Sequence, residues 1–163
     1  MIMEFKAPLD GLAKVVTAGV VILDAAVLAI IWHFATTEGP LWPLFLSAVI
    51  LIGVPLYGFL GMVRAYVVDE GGITVKRVLG SRRIPIVGRA EARILERPRI
   101  VRTLGSGGLF GYFGRFIVEG RRVTVYSGRR DRLVLIVTGD RAYALGPDDP
   151  EGFLETLRTV GLA

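Results

Sequence analysis

Two long apolar runs, residues 15–34 and 41–63, limit what this chain can fold into. Only Ala35-Thr36-Thr37-Glu38-Gly39-Pro40 separates them. A helix needs about 20 apolar residues to cross a bilayer core about 30 Å thick, and each run meets that length. The expectation is a transmembrane helical hairpin over residues 15–64, with spans at about 15–34 and 41–63. A short leader, residues 1–14, precedes it, and Pro8 and Gly11 restrict any helix there. A secretory signal core runs only about 7–15 residues, and here a second span follows at once, so cleavage is not expected.

Charge sets the orientation. Lys6 and Lys14 precede the first run, Arg64, Lys76, Arg77, Arg82 and Arg83 follow the second, and the link carries only Glu38. Cytoplasmic flanks are enriched in Lys and Arg, which places both termini in the cytoplasm and the link outside. Trp32 and Trp42 flank that link, where amphipathic rings suit the headgroup level. His33 beside Trp32 reads as an interfacial polar residue.

Asp24 is the ionisable group near the centre of a span. A carboxylate there costs at least about 2.5 kcal/mol, so it stays neutral or finds a partner. Pro55 has no N–H and leaves the Leu51 carbonyl without its helical bond. In an antiparallel hairpin Asp24 lies near the depth of Gly53–Pro55 and, when protonated, can donate to that carbonyl or to Tyr57, so a structural hydrogen bond within the hairpin or between copies is the favoured reading. A proton relay is the alternative, but the second run offers only Ser47 and Tyr57 as further polar groups. Gly53, Gly58 and Gly61 permit close helix contact.

Beyond Arg64 the pattern changes to short runs rich in Val, Ile, Tyr and Phe, bounded by turn residues. Residues 66–69, 72–79, 82–86, 94–103, 115–119, 122–127, 133–138 and 142–145 read as strands. Asp69-Glu70-Gly71-Gly72, Glu119-Gly120 and Gly139-Asp140 read as tight turns between antiparallel neighbours. Short strands at near-regular spacing predict a sandwich or small barrel. A helix closes the chain: Asp149 suits the N-cap and Pro150 the first turn, and Phe153, Leu154, Leu157 and Val160 give it one apolar face. The chain has no cysteine and one histidine. Disulfides, zinc–thiolate sites, His-rich metal sites and cysteine nucleophiles are therefore excluded. A Ser-His-Asp set is not expected, because the one histidine, His33, is expected on the far side of the bilayer. No carboxylates stand out as an acid–base couple. No catalytic residue, metal or cofactor is assigned, and enzymatic activity is not expected.

The segment LVLIVTGDRAYALGPDDPEGF, residues 133–153, resembles the carboxyl end of bacterial pleckstrin-homology-like domains, with Tyr143, Pro147, Asp148, Asp149, Pro150 and Phe153 at the matching places. The Gly-rich stretch GSGGLFGYFGRF, residues 105–116, and the position directly after two spans are similar to that family too. The resemblance covers about residues 66–160. It implies an α+β fold: a PH-like antiparallel β-barrel or sandwich of two orthogonal sheets, residues 66–163, plugged by the last helix. Eukaryotic relatives often bind phosphoinositides through basic residues of the first hairpin loop. Here that loop is Asp69-Glu70-Gly71-Gly72, which repels phosphate, so headgroup recognition of that kind does not carry over.

Residues 66–163 carry 17 basic and 11 acidic side chains. A domain tethered to the inner leaflet feels anionic lipid, and each nearby Lys or Arg contributes about 1 kcal/mol. Lys76, Arg77, Arg82, Arg83 and Arg89 are candidates for lipid or partner binding, against the plainer reading of a solvated strand face. Nucleic acid is not an expected partner, since no recognition motif accompanies the basic residues. Residues 105–116 lack the Gly-Lys-Ser/Thr of a P-loop and the following helix of a dinucleotide fingerprint. They read as a long hairpin loop whose aromatics fold over the barrel. In the other reading Leu109, Phe110, Tyr112 and Phe113 enter the headgroups, held by Arg115. Two functions remain: a membrane-anchored binding or scaffold module that recruits a protein or a second copy, and a small transporter or accessory subunit in which Asp24 titrates.

Overall fold

The computed structural model describes residues 2–37, 41–86 and 88–163. The expected outer-loop residues Glu38, Gly39 and Pro40, and the Trp42 side chain, lie outside the described residues. The described residues form three helices and ten strands: β1 (Met3–Lys6), α1 (Gly11–Thr37), α2 (Leu41–Gly61), β2 (Val63–Asp69), β3 (Gly72–Arg77), β4 (Ser81–Pro85), β5 (Glu91–Glu96), β6 (Ile100–Gly108), β7 (Gly111–Val118), β8 (Arg121–Ser127), β9 (Arg132–Thr138), β10 (Arg141–Leu145) and α3 (Pro150–Thr159).

The strands form two open sheets, ordered β1-β2-β3-β4 and β5-β9-β10-β8-β7-β6. This α+β arrangement agrees with the expected class, but neither sheet closes, so the barrel is not formed among the described residues. The second sheet is also mixed: β8 and β10 run parallel, with Tyr143 opposite Thr124, because β10 turns back from β9 and lies between β9 and β8. The strand expected over 94–103 is two strands. Arg97 (φ 46°) and Pro98, which has no N–H, interrupt the run, and the Arg97 amide donates to the Asp131 carbonyl at 2.6 Å.

Residues 3–6 of the expected leader form β1, which pairs antiparallel with β2, Met3 opposite Val68 and Lys6 opposite Ala65. The two long helices thus leave and re-enter the first sheet between adjacent strands. They pack against each other. Among the described residues, α1 is the helix long and apolar enough to cross a membrane.

The second sheet is the middle layer. Its strand β9 reads Leu133-Val134-Leu135-Ile136, a continuous apolar run that suits burial on both faces. Val134 and Ile136 point into a core with Phe5, Tyr66, Ile73, Val75 and Ile84 of the first sheet and Phe153 and Leu157 of α3. Leu133 and Leu135 point the other way, into a second core with Tyr112, Phe116, Val118, Val123, Val125 and Ala13 of α1. Tyr66 pins the two sheets. Its hydroxyl donates to the Tyr126 carbonyl at 2.7 Å and accepts from the Gly146 amide at 3.1 Å. Burial without a charged partner pushes this phenol well above its ordinary pKa. Helix α3 begins as the caps predict: the Gly152 amide donates to Asp149 Oδ1 at 3.0 Å, and Gly161, at φ +75°, follows its end.

The stretch expected to loop is instead strand. Residues 105–108 and 111–114 pair across the β6–β7 hairpin, Gly105 opposite Gly114. Both glycines have φ near +120° or above, and a Cβ on either would sit within about 2.2 Å of the facing backbone carbonyl. Glycine here is required by close approach of two strands. Gly105→Ala or Gly114→Ala should destabilise the protein by about 3 kcal/mol. Gly120→Ala, at positive φ but with open space around it, should cost only about 1 kcal/mol; thermal melts in detergent compare them.

Candidate functional site

The place where the helices meet the strands gathers most of the unusual chemistry. Helix ends leave backbone groups without partners, and here the strand domain supplies them. At the end of α2 the β3–β4 turn does so: the Val78 amide donates to the Met62 carbonyl and the Leu79 amide to the Leu60 carbonyl, each at 3.0 Å. At the start of α1 the work falls to Asp10. Its Oδ1 accepts from the Ala13 amide at 2.7 Å, an N-cap. Its Oδ2 accepts from the Arg130 amide at 3.2 Å, its own amide donates to the Gly128 carbonyl at 2.9 Å, and the Tyr112 hydroxyl lies 3.4 Å from Oδ1. Burial, with the Asp10 charge adding to it, pushes the Tyr112 phenol up to about 12. Asp10 was not singled out from sequence. The signal was available as an Asp before an apolar run with Lys14 following.

The β6–β7 hairpin is the third attachment. Phe110, at φ 54°, turns the chain, and its amide donates to Thr17 Oγ1 at 2.8 Å. Its ring packs edge-on against Phe59 at 5.6 Å, and the Phe113 ring lies 6.0 Å from Tyr57. Gly58 and Gly61 make room for these rings: a Cβ on Gly61 would sit 2.7 Å from the Phe113 ring, and one on Gly58 3.1 Å from the Phe110 ring. Gly58 and Gly61 thus receive the strand hairpin, while Gly53 has nothing within 4 Å. Leu109 and Phe110 are half-buried and Tyr112 and Phe113 buried, so the aromatics cover the helix base and not a barrel mouth.

The basic candidates do not form one patch. Lys76 pairs with Glu4 at 2.6 Å and Arg83 with Asp69 at 2.8 Å. Exposed pairs of this kind contribute little to stability, but they neutralise two of the cations. Arg82 and Arg89 are exposed without an ion pair among the described residues, and Arg77 Nε is shielded without a hydrogen-bond partner. Between Arg77 and Arg82 the turn presents Leu79, 62% exposed, beside the end of α2. Arg115 stands apart, on the open face of β7, in a groove shared with Arg122 and Arg141. Those two arginines were missed because their approach depends on the parallel β8–β10 register. Asp24 is half-buried, and its Oδ2 is shielded from water without the partner expected at Leu51 or Tyr57.

The sequence matches the bacterial PH domain family over residues 64–161. The chain belongs to that family. No curated protein and no solved structure matches. The match begins within β2, so β1 and both long helices lie outside the part of this PH domain that the family describes. It reaches the end of α3, including the Asp149 cap.

Two consequences of the junction are measurable. Asp10→Ala should remove the cap and leave the Arg130 amide without its acceptor, lowering stability by about 1–2 kcal/mol. It should also move the Tyr112 titration, followed by ultraviolet absorbance, down towards 10. A phenol whose pKa is raised in the folded state contributes stability that is intact below its unfolded value of 10 and is lost as pH rises towards about 12. Stability should fall through that window, and Tyr112→Phe should flatten the fall, Tyr66 accounting for part of the remainder.

Proposed function

We propose that this bacterial PH domain is a membrane-anchored binding or scaffold module, held against the cytoplasmic face by a two-pass helical hairpin, with a protein partner or a second copy as its cargo. In this reading residues 15–64 cross the bilayer, residues 66–163 form the cytoplasmic domain, and β1 is a part of that domain contributed from before the spans. The observation that carries it is the pairing of β1 with β2. Strands bonded to each other lie on one side of a membrane, so the intervening helices cross an even number of times. α1 has the length and composition to cross, and α2 brings the chain back. Lys14 and Arg64 at the helix bases favour the cytoplasmic side for the domain.

Leu79 at the level of the last α2 turn, with Arg77 and Arg82 beside it, suits the boundary between acyl chains and anionic headgroups. The β6–β7 hairpin tip, packed on Thr17 and Gly58, sits at the same level. The domain is therefore mounted with a fixed attitude to the bilayer, and its lipid contacts orient it. Without a cysteine of its own the chain is suited to labelling. Glu38→Cys should react with an impermeant maleimide in intact cells, and Glu155→Cys only after the membrane is opened. The opposite pattern, or release of the wild type into the aqueous fraction by alkaline carbonate, would sink the proposal.

A second reading, a small transporter or accessory subunit, is favoured by Asp24, whose Oδ2 is shielded without a hydrogen-bond partner. Unpaired ionisable groups in spans commonly mark ion pathways. Asp24→Asn separates the two. A scaffold keeps its assembly and its crosslinked partners, whereas a transporter in proteoliposomes loses proton-coupled flux.

A further inference from the structure

Three arginines on the open face of the second sheet have no place in the membrane reading. Arg115 on β7, Arg122 on β8 and Arg141 on β10 line one groove of about 480 Å³, together with Thr103, Thr124 and Tyr143, the Thr103 hydroxyl donating to the Arg115 carbonyl at 2.7 Å. That volume is in the range of small-ligand sites. Register explains how they meet. Arg115 is directly opposite Thr124, and Thr124 directly opposite Tyr143, so the three share a face and a row. Two residues back on the parallel strands β8 and β10 are Arg122 and Arg141, which therefore stand side by side at the strand spacing of about 5 Å. Like charges placed so repel. All three arginines are exposed and none has an ion pair among the described residues, although Arg132 on β9 does, with Glu151. The acid that lines the groove is Asp140, at its rim. A self-repelling pair without an ion pair among the described residues, with Thr124 and Tyr143 beside it, is an arrangement completed by an anion. Guanidinium forks suit phosphate oxygens in particular.

The groove also lies far from the helix base. Along β7, Arg115 is four residues from the hairpin end at Gly111, about 13 Å, and Arg122 is opposite Ile117, about 20 Å from it. With the hairpin tip at headgroup level, the groove opens beyond the headgroups of the protein's own membrane. We propose that the Arg115–Arg122–Arg141 groove is a binding site for a soluble small ligand carrying phosphate or an equivalent multiple anion. The anion site stands on the register and charges alone; the soluble source rests on the membrane-anchored reading.

Inorganic pyrophosphate is a direct probe. Titrated into the full chain in nonionic detergent, it should raise the thermal midpoint and bind in calorimetry. Arg122→Gln and Arg141→Gln should each weaken that binding about tenfold or more. Arg141→Gln should at the same time leave the ligand-free midpoint equal to or above that of the wild type, because a repulsive neighbour is gone; a purely structural arginine would lower it. A wild-type midpoint that pyrophosphate does not move, or a variant that responds as the wild type does, overturns the site. Binding of hexaglutamate where pyrophosphate fails overturns the small-anion assignment in favour of an acidic protein segment. The source is read separately, in vesicles containing brominated lipid. Fluorophores at Leu79→Cys should be quenched and at Arg121→Cys should not. Quenching at both places the groove among headgroups and overturns the soluble source, while the micelle titration is unaffected by where the domain sits.

Discussion

The terminal carbonyls of α2 decide how this molecule is put together. A helix that ends at a flexible linker hands those groups to water; here Leu60 and Met62 give theirs to the amides of Val78 and Leu79. Asp10 performs the matching task at the head of α1, accepting one amide from the helix and one from the Gly128–Asp131 loop. Because these bonds are short-range and directional, the helices cannot swing without breaking them. The β6–β7 hairpin adds ring contacts and the Thr17 hydrogen bond at the same level. Helices and strands share one framework, and the direction of the helices fixes which surfaces of the strands lie beside the helix base and which face away from it.

Within that framework the second sheet divides the labour between its faces. One face packs on the first sheet and α3 through Val134, Ile136 and Leu145; the other folds over a core that reaches Ala13. Towards β6, β7 and the outer ends of β8 and β10 a face remains uncovered, and that is where Arg115, Arg122 and Arg141 stand. The cations of β3 and β4, by contrast, are partly matched by Glu4 and Asp69. Three arginines without an ion pair among the described residues therefore gather away from the helix base, although the residues that first draw notice in the sequence are the Lys76-Arg77 and Arg82-Arg83 pairs.

What could be read beforehand follows the range of the interactions involved. The long helices, α3 with its Asp149 cap, and the turns at Asp69–Gly72 and Glu119-Gly120 are local features, and each stands where its residues predict. The four residues of β1 carry no periodic signal, and their partner lies beyond both helices, so they passed for a leader. The glycines of residues 105–114 suggested a loop because glycine weakens a strand. They are strand because only glycine lets the two backbones come so close. The mixed sheet and the Arg122–Arg141 neighbourhood depend on a parallel register between strands that are not adjacent in sequence. Arg115 was among the candidate residues, yet its company was not.

The insertion of the helices between β1 and β2 has a consequence for biogenesis. During synthesis β1 leaves the ribosome first, while its partner is still unmade, and it must wait unpaired while both hydrophobic segments are handled. The first sheet then closes only when the second segment has brought β2 back beside β1. Strand pairing thus reports on how the two helices have been placed: a copy in which they fail to pack is left with Phe5 uncovered and an open β2 edge, a surface prone to aggregation.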